Sequence, residues 1–156
     1  MTIGIIGAME EEVEGLAEKF EGRQEEVCAG MRFLTGRIAG KEVALVCSGI
    51  GKVNAAVAAS ILAEHFHADC ILNTGIAGGI APEVKLGDIV LSTDCLEHDF
   101  DVTAFGYEKG VIPRMKTSTF PADQKLLELA KSCEEELTSG VTLHTGRVVS
   151  GDLFVA

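Results

Sequence analysis

Thr2-Ile3-Gly4-Ile5-Ile6-Gly7-Ala8-Met9-Glu10-Glu11-Glu12-Val13-Glu14-Gly15-Leu16-Ala17-Glu18-Lys19-Phe20 changes its period once, at Gly7. Before that glycine, Thr2 to Ile6 is a short apolar run of strand length. After it, Met9, Val13, Leu16, Ala17 and Phe20 recur at helical spacing, so Met9 to Phe20 reads as an amphipathic helix. The alternation continues outward. Met31 to Ile38 and Glu42 to Cys47 read as a hairpin turning at Ala39-Gly40. Val53 to Phe66 is an Ala-rich helix, and Asp69 to Asn73 reads as a buried strand. Asp88 to Ser92 is a further strand, and Asp94 to Thr119 has no strong period and reads as a long irregular region. Asp123 to Leu137 is a helix whose start is marked by Pro121 and Asp123, and Val141 to Val149 is a last strand. This β-α-β-β-α-β order predicts an α/β layer fold with a mixed, mostly parallel sheet. Open sheets of that kind place ligands at the carboxyl ends of their strands.

A chain of 156 residues suits a single domain and can bury a core of its own. Aromatics are only 5% with no Trp, so that core must be built from Val, Ile, Leu and Ala. The net charge of −11 repels phosphate backbones and anionic lipid, and no Lys/Arg cluster offers a local exception. Neither nucleic acid nor a membrane is expected as a partner. The five cysteines, Cys28, Cys47, Cys70, Cys95 and Cys133, are odd in number and lack C-x-x-C spacing. They read as small hydrophobes in a reducing compartment. With no signal-type stretch and no apolar span of membrane length, a cytoplasmic protein is expected.

Two glycine clusters invite a nucleotide-binding reading. Gly49-Ile50-Gly51-Lys52-Val53 follows a strand and opens a helix, but Val46 and Val53 stand where a P-loop needs Gly and Ser or Thr. Asn54 replaces the third glycine of a dinucleotide fingerprint. What remains is the general physics of glycines that allow close approach to a helix N-terminus. Gly75-Ile76-Ala77-Gly78-Gly79 offers the same. In the first helix, Glu11 and Glu14 face water if Val13, Leu16 and Phe20 face inward. Glu10 and Glu12 flank the apolar stripe on opposite sides, and periodicity does not choose between them. Whichever is half-buried near the first strand's end is a candidate general base. His98, Asp99 and Asp101 lack the second cluster a metal site wants, and His65 and His67 sit at a helix end where a His commonly caps the dipole. No metal or cofactor is expected. No Ser sits in a G-x-S-x-G elbow. Phe105, Tyr107 and Pro113 form an apolar group inside the irregular region, where aromatics commonly meet a ligand, a partner subunit or their own loop.

Five segments in order resemble one family. They are Ile3 to Glu12, Ser48 to Val53, Asn73 to Gly79, His98 to Tyr107 and Ser150 to Phe154. Together they resemble the 5′-methylthioadenosine/S-adenosylhomocysteine nucleosidases. The resemblance implies a three-layer αβα fold of the nucleoside phosphorylase type, usually homodimeric. It implies that Glu12 positions and activates the attacking water, which resolves the tie with Glu10. Ala77 and Gly78 would lie beside base and ribose, Phe154 would stack on adenine, and Val155 would offer it backbone hydrogen bonds. Met9, Ile50 and Val102 would line the site near the ribose and the 5′-alkylthio group. Phe105, Tyr107 and Pro113 would close the partner subunit's pocket. The family continues past the fifth segment with further strands and a helix, a Met-Glu pair that grips the ribose hydroxyls, and the Asp that protonates adenine N7. Those segments lie beyond these 156 residues, so the sequence reads as C-terminally truncated. Ile76 departs from the small polar Ser common at its place.

The implied chemistry follows from first principles. Cleaving an N-ribosidic bond builds positive charge on the sugar, adenine leaves readily once protonated, and a carboxylate steers water to the opposite face of the anomeric carbon. This is the logic of an inverting glycosidase. Related phosphorylases use phosphate and would want Arg or Lys beside the glycine turns. Lys52 is the only cation in sequence near either turn, and the first helix carries no Arg, so hydrolysis is the expectation. A purine nucleoside phosphorylase-type transferase and an inactive nucleoside-binding fragment are the alternatives.

Overall fold

Alternation of side chains along three neighbouring strands builds the first half of the fold. In β1 (Thr2–Gly7), Ile5 and Ile6 point to opposite faces, as successive residues of a strand must. Ile5 joins Leu34, Val43 and Leu45 in one buried cluster with Val13 of α1 (Glu10–Ala17). Ile6 joins Phe33, Ala44 and Val46 in a second cluster with Ala58 and Leu62 of α2 (Lys52–Glu64). One helix therefore covers each face, and the layers are α, β, α. Phe33 is fully buried between sheet and α2. A phenylalanine so placed is worth about 3–5 kcal/mol against Ala.

The structure, a computed structural model, describes residues 1–153. The chain divides into two compact units, Met1–Ala77 and the residues from Gly78 onward. The first holds a five-stranded sheet in the order β2-β3-β4-β1-β5. Its members beyond β1 are β2 (Glu21–Cys28), β3 (Met31–Ile38), β4 (Lys41–Cys47) and β5 (Cys70–Asn73). β1 runs parallel to both β4 and β5, while β2 and β3 join by antiparallel pairing. The expected hairpin is β3–β4, turning at Ala39-Gly40.

The second unit carries a three-stranded sheet in the order β7-β6-β8. It comprises β6 (Ile89–Glu97), β7 (Thr119–Pro121) and β8 (Leu143–Ser150), with β6 and β8 parallel. α3 (Gln124–Lys131) starts where the sequence reading put it: the Asp123 carboxylate accepts from the N–H groups of Lys125 (2.9 Å) and Leu126 (3.0 Å). It is shorter than expected, because Ser132 bends back onto the carbonyl of Leu129 and Glu134–Glu136 forms a separate 3-10 turn. Three of the six strand pairings are parallel and three antiparallel, so the sheets are mixed and parallel pairing is confined to β1/β4, β1/β5 and β6/β8.

Two further expectations are corrected. β5 is an edge strand with Ile71 and Leu72 partly exposed, not a buried one, because only β1 pairs with it among the described residues. β6 runs through Glu97, so its last four residues fall inside the stretch expected to be irregular. A register shift between Ser92 and Asp94 interrupts its alternation.

Candidate active site

Register fixes where the turns after β1, β4 and β5 emerge. Gly7 pairs with Cys47 and Ile6 with Asn73, so β1, β4 and β5 end at one level and their following turns leave the same edge. Two hydrogen bonds extend the pairing past the strands. Ser48 N–H donates to the Gly7 carbonyl (2.9 Å) and Thr74 N–H to the Ile6 carbonyl (3.0 Å). Ser48 is buried and its hydroxyl donates to the Gly49 carbonyl at 2.9 Å. This is the carboxyl edge of parallel strands, the position at which α/β sheets hold ligands.

Glu12 sits at the centre of that edge. It is the third residue of α1, half-buried, while Glu10, Glu11 and Glu14 are exposed. Its Oε2 accepts from the N–H groups of Ala8 (2.6 Å) and Met9 (3.0 Å). The Met9 bond is the reaching-back half of a capping box. A cap needs no more than that, yet Oε1 also accepts from Ile76 N–H at 2.9 Å, from the turn after β5. Three backbone donors from two turns thus hold one carboxylate. An ionised carboxylate has about four acceptor positions, so about one remains, on Oε1. Gly75 makes the approach possible. A Cβ there would stand 2.6 Å from Oε1 and 2.9 Å from Cδ of Glu12.

The turn after β4 is shaped by glycine for a different reason. Gly49 and Gly51 have φ of 81° and 103°, which side chains rarely tolerate. Gly51 is the N-cap of α2, and Asn54 Nδ2 donates to the Ile50 carbonyl at 2.8 Å, closing the turn. The residue that breaks the dinucleotide fingerprint therefore has a local task. The Ile50 side chain is left exposed. Cys47, at the end of β4, has its thiol pushed up by burial and further by the neighbouring glutamates, against a smaller lowering by the Gly49 backbone. That direction is the opposite of the lowered pKa by which reactive cysteines are activated. Sequence reasoning missed Arg32, the second residue of β3, which places its guanidinium 3.9 Å from Glu10 and 3.9 Å from Glu25. Nothing in the first helix or the glycine turns signals it. Both contacts are long ion pairs on an exposed side chain.

In the second unit the fourth and fifth segments also meet. Glu97 pairs with Ser150, and His98 N–H donates to the Ser150 carbonyl at 2.9 Å. Asp152 N–H donates to Asp99 Oδ2 at 2.7 Å. A Cβ at Gly151 would meet His98 Nε2 and stand 2.9 Å from Asp99 Cγ, so a larger residue there would have to displace these side chains. Asp101 accepts from both N–H (3.0 Å) and hydroxyl (2.7 Å) of Thr103, and these bonds hold its carboxyl below the usual range. These bonds lead into the 3-10 turn Thr103–Phe105, whose N-cap residue is Val102. Val102 and Pro113 are half-buried, while Phe105, Tyr107, Ala77 and Gly78 are exposed. Phe154 and Val155 lie outside the described residues.

Comparison with known proteins gives this arrangement a family. The phosphorylase superfamily matches residues 2–156. The 5′-methylthioadenosine/S-adenosylhomocysteine nucleosidase of Neisseria meningitidis, solved with methylthio-immucillin-A, is 44% identical with a TM-score of 0.93, over 99% of this chain and 66% of that one. The Colwellia psychrerythraea nucleosidase, solved with adenine, is 44% identical with a TM-score of 0.94, over 99% and 63%. The Streptococcus pneumoniae nucleosidase, solved with a transition-state inhibitor, is 41% identical with a TM-score of 0.87, over 100% and 66%. This chain thus spans slightly less than two thirds of the length of these relatives. The chain belongs to the phosphorylase superfamily, and within it is similar to these 5′-methylthioadenosine/S-adenosylhomocysteine nucleosidases.

Proposed function

We propose that this chain carries the water-activating part of a nucleosidase that hydrolyses the N-ribosidic bond of 5′-methylthioadenosine and S-adenosylhomocysteine, giving adenine and the thioribose. The observation that supports it most is Glu12, held by three backbone N–H groups at the carboxyl edge of β1 and β5 with one acceptor position on Oε1 to spare. That position takes a proton from water as the water attacks the anomeric carbon. The carboxylate is fixed before substrate arrives, so little reorganisation accompanies the reaction. Met9, Ile50, Ala77, Gly78 and Val102 contact the nucleoside in this reading, and Phe154 and Val155 hold adenine. The acid that protonates adenine N7 comes, by the family resemblance, from sequence after the fifth segment. We read both units as parts of one nucleoside phosphorylase-like domain. Phe105, Tyr107 and Pro113 then serve the pocket of a second subunit in a cytoplasmic homodimer. No helix among the described residues is long and apolar enough to cross a membrane.

The test is adenine release from 5′-methylthioadenosine in phosphate-free buffer. Hydrolysis predicts release without phosphate, lost in Glu12→Gln, and no stimulation when phosphate is added. A strict phosphate requirement would overturn hydrolysis in favour of the phosphorylase reading. Nucleoside binding without release would make the chain a binder.

A further inference from the structure

Glu26, Cys28 and His65 converge at a place that contributes none of the turns described above. Glu26 and Cys28 are two apart on β2 and so share a face of this edge strand. His65 is the C-cap of α2. The sequence suggested a histidine that merely caps the helix, but its Nε2 lies 2.8 Å from Glu26 Oε1 instead. Cys28 Sγ lies 3.6 Å from the same oxygen, and the three ligand atoms are all within 4.8 Å of one another. In a tetrahedral zinc site, ligand atoms of these types stand about 3.3–3.6 Å apart, from bonds of about 2.0–2.3 Å. The observed spacings bracket that range, so small rotamer adjustments bring the set onto one ion.

We propose that Cys28 Sγ, His65 Nε2 and Glu26 Oε1 form a binding site for a single zinc-like divalent cation, whose fourth position is taken by water. The donor set is what a borderline-soft cation prefers: one thiolate, one imidazole and one carboxylate. The frame under it is stiff. Cys28 packs against the buried cluster that includes Phe33 and Leu62. Phe66 stacks on Phe33 with centroids 4.9 Å apart and meets the His65 ring edge-on at 4.7 Å. The imidazole is thereby oriented from below while its Nε2 faces Glu26.

Proton balance is explicit. Burial first, and the Glu26 charge and hydrogen bond next, push the Cys28 thiol up, so it is an S–H before metal arrives. Binding transfers that proton to solvent as the S–metal bond forms, and His65 coordinates through Nε2 with its proton on Nδ1. The bound ion ties the edge strand β2 to the end of α2 and stabilises the folded first unit by mass action.

The experiment uses the whole chain with the exposed Cys95 and Cys133 changed to Ser, which removes competing surface thiols. Zinc is titrated against a chromophoric chelator, and Co2+ is followed by its thiolate charge-transfer absorption. The expected result is one ion per chain, a cobalt–thiolate band, and a Tm that rises with zinc. Cys28→Ser should abolish the band, and Cys28→Ser and His65→Gln should each weaken binding by at least about tenfold, since even outer-sphere changes cost that much. Melting without metal shows whether each variant still folds. Zinc affinity and the cobalt band unchanged in both variants would overturn the proposal, as would no binding by the parent chain.

Discussion

Glu12 and Asp88 are built alike and placed at opposite ends of parallel strands. Glu12 follows β1, at the carboxyl edge, and accepts from the backbone of Ala8, Met9 and Ile76. Asp88 precedes β6, at the amino edge, and accepts from the backbone of Lys85 (2.9 Å) and Thr142 (3.1 Å) and from His144 Nε2 (3.0 Å). Each joins segments more than fifty residues apart: Glu12 reaches Ile76 and Asp88 reaches Thr142 and His144. The differences lie in what is left over. The Asp88 side chain is only 5% exposed and is enclosed by its partners. Glu12 is half-open and has acceptor capacity to spare. The same device is closed at one edge and keeps an open acceptor position at the other, the position that the proposed reaction uses as its base. The reason is strand polarity: turns after parallel strands open outward to solvent and ligand, while those before them close the sheet.

The comparison breaks first at Glu12 if it is wrong. Glu12→Gln should lower adenine release by about 10²–10⁴-fold, the usual worth of a general base, with substrate binding changed far less. The amide also turns an N–H donor toward backbone donors, so Glu12→Asp is the companion variant, keeping the charge on a shorter arm. Circular dichroism on both separates lost chemistry from lost fold. Equal activity in Glu12→Gln and the parent would make Glu12 a second staple. The next largest effect is expected at Gly75→Ala. The new Cβ cannot be avoided by moving the carboxylate unless its bonds to Ala8, Met9 and Ile76 are broken. A displacement of order 1 Å in a reacting group costs about 10²-fold. Steady-state kinetics should show this loss in kcat, with Tm lower by a few degrees as the bonds that cap α1 and tie it to the turn after β5 are lost.

How much of this was legible depended on where each signal lay along the chain. β1, α1, β4 and α2 announce themselves: β1 and β4 are continuous apolar runs buried on both faces, and α1 and α2 each cover one face of the sheet they form. β2 does not. Its sequence, Glu-Gly-Arg-Gln-Glu-Glu-Val-Cys from Glu21, is charged and exposed, and it forms by backbone pairing to β3 at the sheet edge. β5 reads as buried from composition, since no local pattern tells an edge from a centre when a run is this short. At the site, helical geometry narrowed the base to Glu10 or Glu12 and stopped. The bond from Ile76, 64 residues on, distinguishes them in space, and no local period contains it. The clusters at Glu26, Cys28 and His65 and around Arg32 were invisible for the same reason.

The smallest effect, and the one that tests the staple directly, is the acid response of Asp88. Its carboxyl is lowered to about 2 from an ordinary value of 3.8, chiefly by the Lys85 N–H, then by His144 and the Thr142 N–H, against a smaller opposing contribution from desolvation. The folded state therefore releases this proton more readily than the unfolded chain does. The stability that follows is fully present above 3.8 and is lost as the pH falls from there through about 2. Asp88→Asn should lower Tm by several degrees near neutral pH, because an amide brings N–H groups against the Lys85 and Thr142 donors. The gap between parent and variant should stay constant down to mildly acidic pH and then narrow across that window. A residual offset should remain, set by the donor mismatch and not by charge. Adenine release per folded molecule should be unaltered, since no reacting group touches Asp88 in the proposed chemistry. A gap that fails to narrow in acid would mean that the charge on Asp88 contributes nothing to holding Thr142 and His144, and the parallel with Glu12 would then be one of shape alone.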